Sequence, residues 1–266
     1  MKKKKRFEKE NLRKGIYILP NLSTTLNIFC GFYAVIASSN GNFTAAAIAI
    51  VLAGIFDMLD GKIARATNST SKFGVEYDSL ADLISFGLAP GFMIYLWALK
   101  PMGRIGWLAG FLYMVCGALR LARFNTQVGT ISSKSFVGLP IPAAAGVAAT
   151  TVLFVHKIGL EGRITPVLLL IMLYTLAFLM VSTIKYNSFK STKLFKKKNF
   201  NTLVTVVLIL IFIAAQPYIA LFIIATVYMA SGPVTVLYRH FRLSPKEESI
   251  EELDQESSAS TSVDKP

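Results

Sequence analysis

FTAAAIAIVLAGIFDMLDGKIAR, residues 43–65, decides the fold. From Phe43 to Phe56 it carries no charge, and as a helix its whole length is enough to cross roughly 30 Å of hydrocarbon. Near its far end stand Asp57 and Asp60. At that depth a carboxylate costs roughly 2.5–3.5 kcal/mol and needs a compensating partner. A short loop leads to EYDSLADLISFGLAPGFMIYLWAL, residues 76–99, which places Asp78 and Asp82 in its first two turns. Similar apolar stretches cover about 16–38, 105–124, 138–156, 164–184, 201–216 and 218–238. The chain is 53% hydrophobic with a mean hydropathy of +0.53, too apolar for an ordinary soluble domain. The expected fold is therefore all-α, a polytopic membrane helix bundle of about eight transmembrane helices. Alternating strand patterning is absent, which argues against a membrane β-barrel.

Charge gives the orientation. With eight spans both termini share one side with loops 62–75, 120–137 and 185–200, and that side holds 24 of the 28 lysines and arginines. The positive-inside rule makes it the cytoplasm. A multi-pass protein of the cell (inner) membrane follows, with Trp97 and Trp107 flanking a short outer loop. The net charge of +13 is then topology and attraction to anionic lipid, spread over separate loops, which argues against nucleic-acid binding. Residues 1–15 read as a basic cytoplasmic segment, 16–242 as one membrane domain, and 243–266 as a disordered Glu- and Ser-rich tail. Cys30 and Cys116 lie singly in spans and act as small apolar residues. The apolar start lacks a convincing cleavage site and reads as an uncleaved first span.

The four aspartates fall at helical spacing: Asp57 and Asp60 share a face with Ala64, and Asp78 shares one with Asp82. One pair ends an inward helix and the other begins an outward one, so both lie at similar depth in the cytoplasmic leaflet. Four carboxylates converging there cannot all stay ionised without added positive charge. Hard oxygen ligands select Mg²⁺ or Mn²⁺, and two such ions nearly cancel the four charges while orienting a phosphoryl group. Gly61 and Ala64 allow close approach, Arg65 can clamp phosphate oxygens with its planar fork, and Gly74 sits in the loop before the next span. Arg120 and Arg123 end the fourth span on the same side, where a cationic pair can hold a carboxylate or simply anchor the helix. The bland alternative is a structural hairpin in which Lys62, Arg65 and Lys72 pair with the acids.

The run Asp57-x2-Asp60-Gly61-x2-Ala64-Arg65-x8-Gly74-x3-Asp78-x3-Asp82 resembles the signature of the CDP-alcohol phosphatidyltransferases at every position. The resemblance implies metal-dependent displacement of CMP from a CDP-linked lipid by an alcohol. Asp57, Asp60, Asp78 and Asp82 would be metal ligands, with Asp82 also the catalytic base. Asn21, Thr24, Gly61, Arg65, Ser71 and Gly74 would bind CDP-diacylglycerol. Residues 78–90, 119–125 and 136–142 look like the membrane-type phosphatidylserine synthases within that family. That subfamily implies L-serine as acceptor, whose carboxylate the Arg120 and Arg123 pair could hold, and the family resemblance implies a homodimer. Glycerol 3-phosphate, inositol phosphate or choline are the rival acceptors. A divalent-cation transporter is the rival of another class, and its acids should be spread over distant helices.

Overall fold

The computed structural model describes residues 2–67, 69, 71–127, 135–160, 166–187, 211 and 213–242. Among them, seven helical rods account for seven of the eight expected spans. They are α1 (Lys2–Ser39), α2 (Phe43–Ala66), α3 (Lys72–Met102), α4 (Arg104–Gln127), α5 (Ile141–Ile158), α6 (Pro166–Val181) and α7 (Pro217–Arg242). Six are long and apolar enough to cross a membrane, and α6 is a shorter apolar helix. The chain is a multi-pass membrane helix bundle. The expected span 201–216 and the tail 243–266 lie almost wholly outside the described residues. The chain breaks at Gln216–Pro217: Pro217 starts α7, and the Gln216 carbonyl accepts from the Ala220 N–H at 3.0 Å.

Local chemistry sets the boundaries. Asn42 caps α2 by accepting from the Ala45 N–H at 3.1 Å, and Ser71 caps α3 by accepting from the Gly74 N–H at 3.0 Å. The Ser71 cap starts α3 at Lys72, four residues before the expected start. Gly74 therefore lies in the first turn of that helix, not in a loop. Pro140 and Pro142 open α5, where a missing N–H costs nothing, and left-handed Gly159 closes it.

Helix α3 is not uniformly α-helical. Immediately after Asp82 it widens into a π-helical turn, Leu83–Leu88, and does so again at Tyr95–Leu99. Such bulges mark functional sites in many helices. The first is held from both flanks: Ser85 donates to the Asn27 carbonyl at 2.9 Å, and Tyr113 of α4 donates to the Phe86 carbonyl at 3.1 Å.

Packing follows the small residues. α1 lies along α2, α3 crosses both, and α5 covers α2 through a seam rich in fully buried alanines, among them Ala46, Ala53, Ala144 and Ala145. Alanine lets helix backbones approach closely where lipid supplies no hydrophobic drive for association. Large apolar side chains point outward instead: Phe29, Phe32, Leu168 and Phe178 are all at least 60% exposed. That inverted distribution suits a lipid surround.

One element had no signal in the hydropathy. Strands β1 (Ser135–Val137) and β2 (Lys185–Asn187) pair antiparallel, Phe136 opposite Tyr186, and join the ends of α5 and α6. Gly138 follows β1 with φ +81°, and a Cβ there would meet the Met180 carbonyl. Tyr186 is fully buried against α7, donating to the Met229 carbonyl at 3.1 Å and filling the space over Gly232.

Candidate active site

The end of α2 and the start of α3 bring three carboxylates together. Asp57, Asp60 and Asp78 each offer an oxygen, and the three atoms lie within 4.8 Å of one another. Asp60 is buried and the other two are half-buried. Asp82 is one turn deeper on α3 and is buried. It is not one of that close set. The sequence spacing therefore resolves into a triad plus an inner fourth carboxylate.

The neighbours fix these side chains one by one. Ser23 of α1 donates to the Phe56 carbonyl at 2.9 Å, pinning α2 just before Asp57. Thr24 donates to Asp60 Oδ2 at 3.0 Å. Asp78 sits between two tethers: the Tyr77 hydroxyl is 3.0 Å from that of Thr25, and Asn125 of α4 donates to the Ser79 hydroxyl at 2.9 Å. Asn27, one turn beyond Thr24, donates through Nδ2 to Asp82 Oδ1 at 3.5 Å. Sequence reasoning missed Ser23, Asn27, Tyr77, Ser79 and Asn125. The signal for Asn27 was present, since Asn21, Thr24 and Asn27 form a polar stripe at i, i+3, i+6 on an apolar helix.

These residues fit a divalent cation. One Asp78 oxygen, Oδ1, is buried with no hydrogen-bond partner, a costly state for a carboxylate unless something positive meets it. Among the described residues no Lys or Arg side chain lies within ion-pairing distance of the four aspartates, which removes the hairpin of structural ion pairs. An all-carboxylate donor set is the hard-oxygen chemistry of Mg²⁺ and Mn²⁺. The acidic cluster can hold a metal ion.

The expected nucleotide residues fall around the same place. Gly74 brings Ser71 and Asn21 together: a Cβ on it would stand 3.2 Å from Ser71 Oγ and 3.8 Å from Asn21 Oδ1. Arg65 is exposed, and its guanidinium arches over Gly61, 3.7 Å from where a Cβ would stand. The two arginines of α4 part company. Arg120 is buried between Tyr113, which meets Phe86, and Asn125, which meets Ser79, and its Nε has no hydrogen-bond partner. Arg123 instead donates to three backbone carbonyls, Val137 and Val181 at 3.1 Å and Ser182 at 3.3 Å, holding the hairpin against α4.

A family model described as CDP-alcohol phosphatidyltransferase matches residues 17–181, the part of the chain that contains all four aspartates and the side chains around them. The chain belongs to the CDP-alcohol phosphatidyltransferase family. It is 40% identical over 224 residues to a CDP-diacylglycerol–serine O-phosphatidyltransferase of Helicobacter pylori, a match covering 84% of this chain and 92% of that one. A Bacillus subtilis protein of the same name is 36% identical over 172 residues, covering 65% of this chain and 91% of its own. An archaetidylserine synthase of Methanothermobacter thermautotrophicus is 39% identical over 170 residues, covering 63% and 69%.

Proposed function

We propose that this protein transfers the phosphatidyl group of CDP-diacylglycerol to the hydroxyl of L-serine and releases CMP. The observation that carries the reading is the convergence of Asp57, Asp60 and Asp78 beside a buried Asp82, within a chain matched along most of its length to serine-using relatives. A carboxylate gathering confined to one hairpin suits phosphoryl chemistry better than a transport path, which needs acids at several depths.

In this reading Asp82 takes the proton from the serine hydroxyl. The freed oxygen attacks the phosphorus bearing diacylglycerol, a new P–O bond forms, and the bond to CMP breaks. Asn21, Thr24, Gly61, Ser71 and Gly74 bound the nucleotide and pyrophosphate, and Arg65 holds phosphate oxygens. Asp57, Asp60 and Asp78, joined by Asp82, would hold the cations, two Mg²⁺ or Mn²⁺ ions by charge balance. When bound, these neutralise the pyrophosphate and the departing CMP. Arg120 meets the serine carboxylate, and Arg123 supports it by fixing the end of α4.

The same reading puts the enzyme in the cell (inner) membrane with both termini and the site on the cytoplasmic side, as the basic loops require. It also includes a homodimer, on the family resemblance. The test is CMP release by purified protein with CDP-diacylglycerol and a panel of acceptors. Serine is expected to be the productive one; turnover with glycerol 3-phosphate, inositol phosphate or choline and none with serine would overturn the assignment.

A further inference from the structure

Two orphaned polar atoms lie on helices packed against the part of α3 that carries Asp82. Asn27 on α1 is fully buried; its Nδ2 is committed to Asp82 and its Oδ1 has no hydrogen-bond partner. Arg120 on α4 is buried between Tyr113, which meets Phe86, and Asn125, which meets Ser79, so it comes alongside the stretch of α3 that carries Asp82; its Nε is likewise without a partner. An unsatisfied buried donor or acceptor is costly and calls for a partner. Neither side chain sits on a loose segment. Asn27's own carbonyl accepts from Ser85 at 2.9 Å, and the end of α4 is tied down through Arg123 and Asn125.

The chemistry of the two atoms is complementary and restrictive. An amide oxygen only accepts, so Asn27 Oδ1 requires an N–H or O–H. Guanidinium Nε only donates, so Arg120 requires an anion or other acceptor. Between them stands the carboxylate that takes a hydroxyl proton. A quaternary ammonium has no N–H to give Asn27, and choline has no anion for Arg120. A small hydroxy amino acid supplies all three groups at once.

We propose that Asn27, Asp82 and Arg120 form a three-point acceptor subsite. Asn27 Oδ1 receives the ammonium of the amino acid, Arg120 its carboxylate and Asp82 its hydroxyl. This rests on the serine-transfer reading and deepens it by assigning the ammonium and the source of acceptor selectivity to α1. Asn27 has a second part as a positioning residue, since its amide orients Asp82.

The experiment compares L-serine with 3-hydroxypropionate, which lacks the ammonium, and with ethanolamine, which lacks the carboxylate. Purified full-length protein and CDP-diacylglycerol are used throughout, with CMP release as the readout. Asn27→Leu is expected to lower the serine to 3-hydroxypropionate ratio of kcat/KM by about tenfold or more and to leave the serine to ethanolamine ratio nearly unchanged. Arg120→Gln is expected to do the reverse. Any general loss from misorienting Asp82 cancels in these ratios. Thermal protection by CDP-diacylglycerol reports folding, and Asn27→Ser carries the same comparison should the leucine variant fail to fold. Ratios that stay at the wild-type value in a variant that still binds CDP-diacylglycerol sink the subsite alone. A wild-type enzyme that uses another alcohol and ignores serine sinks the parent reading, before any variant is made.

Discussion

The Thr24 hydroxyl on α1 donates to Asp60 Oδ2 on α2 across 3.0 Å, both side chains being buried. One oxygen of that carboxylate is thereby held by protein, which fixes where the other points. Thr24→Val keeps the shape and removes the donor. A hydrogen bond to a charged group contributes roughly 1.5–3 kcal/mol. The expected result is a melting temperature lowered by a few degrees and a higher Mg²⁺ concentration for half-maximal CMP release, with Thr24→Ser close to wild type. Unchanged metal dependence in Thr24→Val would mean that the contact does not order the acidic cluster.

Asp82 is the inner carboxylate, outside the triad that lies within 4.8 Å. In the proposed reading it both joins the other three at the cations and takes the serine proton, a step that contributes typically 10²–10⁴-fold. Asp82→Asn preserves volume and should lower kcat by about that factor while CDP-diacylglycerol still raises the melting temperature. Turnover near that of the wild type would remove the base assignment.

Chelation separates the metal reading from a purely electrostatic cluster. With one Asp78 oxygen buried and unpartnered, the triad is poorly satisfied without a cation. Excess EDTA should abolish CMP release and lower thermal stability, and either Mg²⁺ or Mn²⁺ should restore both. In Asp78→Asn the stabilising effect of added metal should shrink sharply; a full effect there would place the ion elsewhere.

Arg123 carries a different expectation from its neighbour three residues earlier. Its guanidinium meets the carbonyls of Val137, Val181 and Ser182, so it closes the gap between α4, β1 and the end of α6. Arg123→Ala should lower stability by about 2 kcal/mol, given three charge-assisted bonds of which water replaces part. The KM for serine should move less than in Arg120→Ala. A reversed order would return Arg123 to the acceptor site.

How much of this was legible follows from the length scale of each signal. Spans announce themselves through some 20 consecutive apolar residues, and the triad through helical spacing on two adjacent helices. The hairpin of Ser135–Val137 with Lys185–Asn187 was invisible, because each strand is three residues long and its partner stands about 50 residues away. Asn27 was overlooked because one amide in an apolar helix carries no charge to justify; only the pairing with Asp82, set by how α1 crosses α3, reveals its use. Gly74 falls before the apolar run that begins near Glu76, so hydropathy puts it in the loop, whereas the Ser71 cap begins the helix at Lys72.

Gly31 tests whether that crossing matters. A Cβ at this position would collide with Cα, Cβ and Oγ of Ser85, in the π-helical turn that follows Asp82. No side-chain rotation relieves a clash with backbone, so Gly31→Ala must push α1 away from α3. Overpacking of this kind costs typically 1–3 kcal/mol. The displacement also strains the Ser85–Asn27 bond and, through Asn27, the contact to Asp82. Gly31→Ala is therefore expected to lower both melting temperature and kcat. Adding Ser85→Gly removes two of the three colliding atoms and should recover part of the stability. It should not restore kcat fully, because the hydroxyl that fixes Asn27 is then gone. Recovery of stability and kcat in equal measure would show that the π-turn serves packing only and does not hold the catalytic carboxylate in register.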